Sequence, residues 1–333
     1  MKIWIDITNT PHVHVLLPIL GHLQKEHEIF ITARDFSETI PLLSQNNISP
    51  IIIGNYKGKS RVKKVFGLVT RMFELRKKIP EFDLSLSLGG NYTATISRLR
   101  KKPSVIMSDN DISFKAPAYK FGSFFVLPEY FNTSRIEKRY GIKKQQIFTY
   151  NGFKEEIYIA GYVPDNNFPA LLPFDNYITI RPENLKASYV PKNSTTIVPE
   201  LFEALSAYNI LYLPRYASER IYAQGHSNIY MPGGPLNGLD VCYYTKAMLT
   251  GAGTFAREAA LLGRPAVSFF PGKTFLAVDT IMQERGWQFK SRNAGEIAEY
   301  VKTAANRPNQ QLRSQQTLKE VLGIFDKILN TIG

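Results

Sequence analysis

The 333-residue sequence has little cysteine and no long apolar run. Its single cysteine, Cys242, excludes an intrachain disulfide framework and a cysteine-rich zinc site, and favours a reducing compartment. No apolar run reaches the ~18 residues that a membrane helix needs. The N-terminal residues include Asp6, Asn9 and two histidines, where a signal peptide would be uninterrupted and apolar. These absences predict a cytoplasmic protein.

Positive charge is in excess. The sequence contains 41 Lys and Arg against 28 Asp and Glu, a formal net charge of +13 at pH 7. Such a charge implies an anionic partner, namely nucleic acid, acidic lipid headgroups or phosphorylated metabolites. Much of the excess falls in two stretches, one from Lys57 to Lys78 and one from Arg98 to Lys102. The chain length predicts two domains, because single cores usually stop growing near ~250 residues.

Strand-like and helix-like segments alternate along the chain. The runs "KIWID", "HEIFITAR" and "SPIIIG" are typical of strands with helices between them, an order that favours a parallel sheet covered on both faces. The alternation lapses between Tyr158 and Asp175 and restarts at "NYITIRP". We therefore predict two Rossmann-like doubly wound domains, residues 1–163 and 164–312, facing a cleft that holds the ligand. Residues 313–333 form an amphipathic helix that must pack on another element, the N-terminal domain being one choice.

The stretch "MLTGAGTFAREAALLGRPAVSFFPG" predicts an anion site. Gly251 and Gly253 let the chain turn tightly after a strand and approach a ligand with no Cβ in the way. The next helix starts near Thr254, and its unpaired amides suit a diphosphate. Glu258, about one turn along, suits the two hydroxyls of a ribose. The alternative is a plain strand, turn and helix in which Glu258 is a solvated partner of the helix dipole.

The segment "TGAGTFAREAALLGRPAV" resembles the signature of the second domain of GT-B glycosyltransferases and of UDP-N-acetylglucosamine 2-epimerase relatives. In those enzymes a Ser-Gly-Gly turn precedes a helix whose Glu holds the ribose, and a Gly-x-Pro leads into the next strand. Here Ala252 and Thr254 replace the Ser and the second Gly, so Thr254 offers a hydroxyl where the backbone alone is usual. Thr250 stands where many retaining enzymes carry a first Glu, which argues against that retaining mechanism.

Nearly the whole chain resembles a family of predicted bacterial and archaeal glycosyltransferases catalogued as domain of unknown function 354. The segments "IWIDITNTPHVHVLLPIL", "SDND", "YNGFKEEIYIAGYVPD" and "ITIRPEN" carry this likeness. It implies an α/β protein of the GT-B fold that binds a nucleotide-diphosphate sugar, expected to be UDP-linked. The likeness to the lipid-linked peptidoglycan N-acetylglucosaminyltransferase implies a lipid-linked or cell-surface glycan as acceptor. No cofactor or metal is expected beyond the nucleotide-sugar.

The loop after the first strand, "TNTPHVH", carries candidate catalytic and binding residues. His12 and His14 are two apart and point in different directions, so a shared metal is not expected. In similar enzymes this loop approaches the donor phosphates or the acceptor, which implies Asn9 and Thr10 as donor contacts. His12, nearer the strand end, is the candidate general base or oxyanion partner. The alternative is a capping or core histidine.

Three further residues follow predicted strands. Asp109 in "SDND" could serve as a base, and its alternative is ordinary turn chemistry. Arg181 in "ITIRPEN" resembles the epimerase arginine that faces the donor diphosphate, and its alternative is an ion pair with Glu183. Lys273, after "SFFPG", is a candidate phosphate or sugar contact.

The basic segment 61–79 is predicted to be a helix with one broad apolar side. Lys63, Lys64, Arg71, Lys77 and Lys78 occupy the other side. An apolar side wider than a sheet can cover predicts contact with an acidic membrane surface, at the inner face of the plasma membrane. The alternative is a sheet-covering helix with a solvated basic face.

The leading hypothesis is an inverting, metal-independent glycosyl transfer. A base deprotonates the acceptor while Arg181 and the helix start at Thr254 stabilise the departing diphosphate. The second hypothesis is a nucleotide-sugar 2-epimerase or hydrolase with Asp109 and His12 as acid and base. The third is a non-catalytic nucleotide or nucleic-acid binder. Nucleic acid is not expected, because the sequence has no recognised module and its basic segment lacks interleaved stacking aromatics.

Overall fold

The computed structural model describes residues 1–36, 38–55, 61–112, 116–185, 190–191, 193–272 and 276–333. It divides into two compact units: unit 1 comprises Met1–Tyr158 and Gln316–Gly333, and unit 2 comprises Ile159–Gln315. Within the described ranges, unit 1 is built on a seven-stranded sheet and unit 2 on a six-stranded sheet. Every strand pair in both sheets is parallel, which confirms the prediction of two doubly wound α/β domains.

The unit 1 sheet has the strand order β3-β2-β1-β4-β5-β6-β7. Its strands are β1 Lys2–Ile7, β2 Glu28–Asp35, β3 Ile51–Asn55, β4 Leu84–Leu88, β5 Ser104–Met107, β6 Phe124–Pro128 and β7 Ile147–Tyr150. The helices of this part of the chain are α1 Thr10–Leu23, α2 Thr39–Gln45, α3 Arg61–Lys78, α4 Asn91–Arg100, α5 Ala116–Phe121, α6 Thr133–Tyr140 and α7 Glu156–Ile159, with a 3₁₀ turn at Lys144–Gln146.

The unit 2 sheet has the strand order β10-β9-β8-β11-β12-β13. Its strands are β8 Ile178–Arg181, β9 Ile210–Tyr212, β10 Ile229–Tyr230, β11 Met248–Thr250, β12 Ala266–Ser268 and β13 Phe289–Lys290. The helices that follow are α8 Val198–Ala204, α9 Gly238–Tyr244, α10 Gly253–Leu261, α11 Ala277–Glu284, α12 Ala294–Thr303 and the terminal α13 Gln311–Ile332, with 3₁₀ turns at Phe168–Leu171 and Ala217–Ala223.

Both faces of the unit 1 sheet are covered, as the strand sequences require. Ile3, Ile5 and Ile7 of β1 join a core that includes the buried side of α1. Trp4 faces the opposite side and packs with Leu75 of α3 in a second core. Successive side chains of a strand point to opposite faces, so an apolar strand needs helices on both.

The terminal helix α13 packs its apolar face into unit 1. The face is a stripe at i, i+3 and i+4 spacing that is buried in the core of that unit; it consists of Val321, Ile324, Phe325, Ile328 and Leu329. Among the described residues, no helix combines the length and the apolar character needed to cross a membrane.

The segment between Tyr158 and Asp175 contains ordered contacts within unit 2. Phe168 is buried and stacks on Tyr244, with ring centroids 5.6 Å apart. The Tyr162 hydroxyl donates to the Asp240 carboxylate at 2.6 Å. Aromatic packing therefore fixes a stretch that has no helical or strand period of its own.

The structure corrects the expectation for Arg71. Instead of lying on the exposed basic side of α3, Arg71 is 2% exposed and forms a bidentate ion pair with Asp6 at 2.7 and 3.0 Å. Its guanidinium also lies 4.4 Å from the ring centroid of Tyr92. Arg71 and Leu75 of α3, and Ile79 directly after the helix, are spaced by one helical turn and are all buried. The buried carboxylate at the end of β1 needs a counter-charge, and α3 supplies it.

Each sheet contains a point where the strand order reverses. It lies between β1 and β4 in unit 1 and between β8 and β11 in unit 2. The helices that follow such a strand pair leave to opposite faces, which opens a crevice at the carboxyl ends of the strands. The loops that follow these four strands are therefore where a ligand is expected within each unit.

Candidate functional site

In unit 2, the reversal point brings Arg181 and the glycine turn together. Arg181 ends β8 and is the register partner of Thr250, which ends β11. The Gly251 amide donates to the Arg181 carbonyl at 3.1 Å. A Cβ at position 251 would lie 2.5 Å from the Glu183 Cα. The sequence predicts that Gly251 lets a ligand approach the backbone. In the structure, the missing Cβ lets the turn pack against the residues that follow β8.

Helix α10 presents its N-terminus at the same edge. It begins at Gly253, one residue before the predicted start, with Thr254 second. Ala252 is the N-cap residue and has no side chain that could cap the helix; its own amide donates to the Thr250 hydroxyl at 3.0 Å. The first-turn amides and the positive end of the helix dipole therefore suit an anion, as predicted for this turn.

Arg181 is a half-buried cation. Burial lowers the pKa of Arg181 to about 10, and the positive charge of Arg215 acts in the same direction, while the charges of Glu219 and Glu258 oppose it. Among the residues that the structure describes, Arg181 has no ion pair with a carboxylate. Its guanidinium carbon lies 5.1 Å from the ring centroid of Phe255, in the first turn of α10. A desolvated cation at a helix N-terminus is a strong electrostatic partner for a phosphate group.

Glu183 does not supply the alternative ion pair for Arg181. Its carboxylate is buried, pairs with Arg292 at 2.9 Å and accepts a hydrogen bond from the Thr196 hydroxyl at 2.8 Å. Glu183 and Arg292 are 109 positions apart in the chain, so no local sequence pattern predicts that they pair. The carboxylate nearest to Arg181 in sequence is therefore committed to another cation.

Glu258 lies one turn into α10, at the predicted spacing. It is 6% exposed, and its Oε2 is 3.9 Å from the Cys242 Sγ of α9. Burial, and then the charge of Glu258, raise the pKa of the Cys242 thiol well above its ordinary value. Cys242 therefore remains a neutral thiol that can donate weakly to the carboxylate. Glu258 is thus held by α9 in the second turn of α10.

In unit 1, the loop after β1 holds His12 near the end of the strand. The His12 Nδ1 lies 3.3 Å from the Thr8 hydroxyl. Asn9 is the N-cap residue of α1 but makes no side-chain capping hydrogen bond. The Thr10 hydroxyl lies 3.4 Å from that of Thr39 in α2, so it has a partner inside unit 1.

His14 is in a different environment from His12. Its ring centroid is 5.5 Å from that of Tyr158, and burial lowers the pKa of His14. His14 therefore remains neutral near pH 7 and is a packing residue. The two histidines diverge, as their spacing predicts.

Asp109 forms an ion pair that sequence reasoning missed. Its Oδ2 is 2.6 Å from the Lys154 Nζ, which also lies 3.7 Å from Glu155 Oε1. Glu155 and Glu156 are fully buried, and Glu156 accepts from the Phe153 amide at 2.8 Å. Lys154 thus lies between two carboxylates, those of Asp109 and Glu155. A carboxylate such as that of Asp109 is a candidate proton acceptor.

A signal for Lys154 was present in the sequence. The motif "YNGFKEE" follows the strand "IFTY", and β7 lies two strands from β5 in the same parallel sheet. The carboxyl ends of parallel strands lie at the same edge of the sheet. The residues after β5 and after β7 are therefore expected at that edge, close to each other. Lys273 lies outside the described residues.

Two comparisons of sequence place the chain among known proteins. The model of the family described as "Protein of unknown function (DUF354)" matches residues 1–332. The chain belongs to the DUF354 family. An uncharacterized protein of Methanocaldococcus jannaschii is 24% identical over 318 residues, which cover 90% of this chain and 91% of that protein.

Solved structures show the fold of this DUF354 protein. The UDP-GlcNAc 2-epimerase of Methanocaldococcus jannaschii, in complex with UDP-GlcNAc and UDP, matches with a TM-score of 0.73 and 17% identity over 98% of this chain and 99% of that chain. The glycotransferase of kitacinnamycin matches with a TM-score of 0.62 and 11% identity over 98% of each chain. These likenesses confirm the predicted GT-B fold.

Proposed function

We propose that this DUF354 protein acts on a nucleotide-diphosphate sugar and transfers the sugar to an acceptor, with inversion and without a metal. The observation that carries the proposal is the reversal point of unit 2. There the N-terminus of α10 meets Arg181, which has no carboxylate ion pair within the described ranges. Both features suit the negative charge of a diphosphate, and Glu258 beside them suits a ribose. A UDP-linked donor is supported by the similar epimerase structure that holds UDP-GlcNAc and UDP.

The proposed reaction needs a base for the acceptor hydroxyl and groups that stabilise the departing diphosphate. Asp109, which pairs with Lys154, is the first candidate to take the proton of the acceptor hydroxyl, and His12 is the second. The acceptor oxygen bonds to the anomeric carbon as the bond from that carbon to the diphosphate breaks. Arg181 and the α10 amides take up the charge that develops on the diphosphate.

The first test is binding. We expect UDP and UDP-N-acetylglucosamine to bind the purified chain in isothermal titration calorimetry, with and without a chelator. Arg181→Met should weaken both, whereas Arg220→Met, at an exposed position in the same unit, should not. If neither ligand binds the unaltered chain, the proposal is wrong.

A nucleotide-sugar 2-epimerase is the second candidate function, because the epimerase structure has a TM-score of 0.73 against 0.62 for the glycotransferase. Incubation with UDP-N-acetylglucosamine in heavy water, without an acceptor, separates the two. An epimerase exchanges the hydrogen at C2 for deuterium and forms the 2-epimer. A hydrolase releases UDP without a new epimer. A strict transferase leaves the nucleotide-sugar intact until an acceptor is added.

A membrane surface is a further proposed partner of the transferase. Three apolar side chains of α3 face solvent: Leu68 is 49% exposed, Val69 49% and Phe73 67%. Exposed Lys77 lies one turn beyond Phe73, and the combination suits acidic lipid. Phe73→Ser should reduce co-sedimentation with vesicles of phosphatidylcholine and phosphatidylglycerol, whereas Leu312→Ser, at a position 78% exposed, should not. Equal sedimentation of both variants would reject a lipid-linked route through α3.

A further inference from the structure

Arg181 is held differently from three other arginines with buried or half-buried side chains. Each of those three pairs with a carboxylate: buried Arg71 with Asp6 at 2.7 Å, buried Arg257 with Asp279 at 2.9 Å and half-buried Arg292 with Glu183 at 2.9 Å. Arg181 lies over the ring of Phe255 instead. In the part of the chain that the structure describes, no carboxylate comes within ion-pair distance of the Arg181 guanidinium.

The Phe255 ring under Arg181 packs closely against neighbouring residues. It is the third residue of α10, and a Cβ at Gly238 would lie only 3.3 Å from its Cζ, so the ring fits closely against the start of α9. The start of α9 is itself fixed, because the Asn237 side chain accepts from the amides of Leu239 and Asp240 at 3.0 and 3.4 Å. The ring therefore packs between the Arg181 guanidinium and the start of α9.

An aromatic ring and a carboxylate position an arginine with opposite effects on its charge. A carboxylate fixes the guanidinium through its N–H groups and cancels its positive charge. A ring attracts the guanidinium through its face, adds no negative charge and leaves the in-plane N–H groups directed outward. At a site that binds an anion, an aromatic ring therefore leaves the positive charge and the N–H donors of the arginine available, whereas a carboxylate uses both.

We infer that Phe255 is a positioning residue that holds Arg181 for the second phosphate of a bound nucleoside diphosphate. The inference rests on the proposed function, since it assumes that the reversal point of unit 2 binds a diphosphate. In this arrangement the α10 amides and Glu258 hold the nucleoside and first phosphate, and Arg181 on Phe255 selects diphosphate over monophosphate.

The test compares UDP with UMP in isothermal titration calorimetry of the full chain. Phe255→Leu should weaken UDP binding by about two- to thirty-fold, the range expected for loss of one cation–π contact. UMP binding should not change, and Phe255→Tyr should retain the affinity for UDP. The matched control is Tyr243→Leu, which removes the ring 5.1 Å from Arg264 in the same unit and should leave both ligands unaffected.

A double-mutant cycle separates positioning from general structural support. In an Arg181→Met background, Phe255→Leu should cause no further loss of UDP affinity, and fully additive losses would overturn the inference. Where Phe255→Leu does not fold, Phe255→Met takes its place. If the unaltered chain binds UDP and Phe255→Leu keeps the preference for UDP over UMP, the inference fails and the proposed function stands. If the unaltered chain does not bind UDP, both fail.

Discussion

The described residues at the carboxyl edges of the two sheets pair their charges differently. In unit 1, Lys154 lies within ion-pair distance of two carboxylates, those of Asp109 and the buried Glu155. In unit 2, Arg181 has no carboxylate ion pair among the described residues, and Glu183 is committed to Arg292. The same doubly wound topology thus carries a lysine with two carboxylate partners at one edge and an arginine that lies over an aromatic ring at the other. The fold determines where these edges lie, and the side chains determine their chemistry.

The largest effect expected from this comparison is on stability in unit 1. Lys154→Met leaves the carboxylates of Asp109 and Glu155 without their lysine, so the free energy of unfolding should fall by about 3–5 kcal/mol, as for other broken buried pairs. Urea unfolding monitored by circular dichroism measures the change. Lys154→Arg should lose less, because the charge is kept.

Neutralising a carboxylate should offset that loss. If the double variant Lys154→Met with Asp109→Asn is as unstable as Lys154→Met alone, the lysine acts through packing and the comparison with unit 2 does not hold. Partial recovery in the double variant is the expected outcome, since one unpaired charge is removed.

The second prediction concerns Arg181. Its replacement should not lower the free energy of unfolding, in contrast to the replacement of Lys154. Arg181→Met should weaken UDP binding by about 10- to 150-fold, corresponding to about 1.5–3 kcal/mol for hydrogen bonds to a charged group. The free energy of unfolding should rise or stay constant, because burial and Arg215 disfavour the cation. Calorimetric titration and urea unfolding of the same preparation give both values. A marked loss of stability in Arg181→Met would show that this cation is structural, like Arg71.

A smaller effect is expected at Glu258. Glu258→Gln keeps the shape of the side chain but replaces one acceptor oxygen by a donor, so the ribose hydroxyls lose part of their recognition. The preference for UDP over 2′-deoxy-UDP should fall by about three- to tenfold, or about 1 kcal/mol. Competition binding measures the ratio directly. An unchanged ratio would show that Glu258 does not contact the ribose hydroxyls.

Sequence patterns predicted the elements and their order, because apolar periodicity and turn residues are local properties. They also placed Arg181, the glycine turn and Glu258 near one strand edge, since each follows a strand that can be recognised alone. The choice of ion-pair partners could not be predicted in this way. Arg71 and Asp6 are 65 positions apart in the sequence, and Lys154 and Asp109 are 45 apart. Whether such residues pair depends on how the elements pack, which is not a local property of the sequence. Gly251 illustrates the same limit, because its neighbour Glu183 comes from another strand's loop.

The smallest expected effect tests whether burial or nearby carboxylates decide the protonation of a histidine in unit 1. Burial lowers the pKa of His14 below its ordinary value of 6.5. As pH falls below 6.5, the unfolded chain binds a proton that the folded chain binds less readily, so the free energy of unfolding declines in this window and is fully retained above it. His14→Phe should flatten that part of the profile of stability against pH. If His14→Phe leaves the profile unchanged, the pKa of His14 is the same in the folded and unfolded chains. If it steepens the loss of stability at low pH, nearby carboxylates raise the pKa of His14 and outweigh its burial.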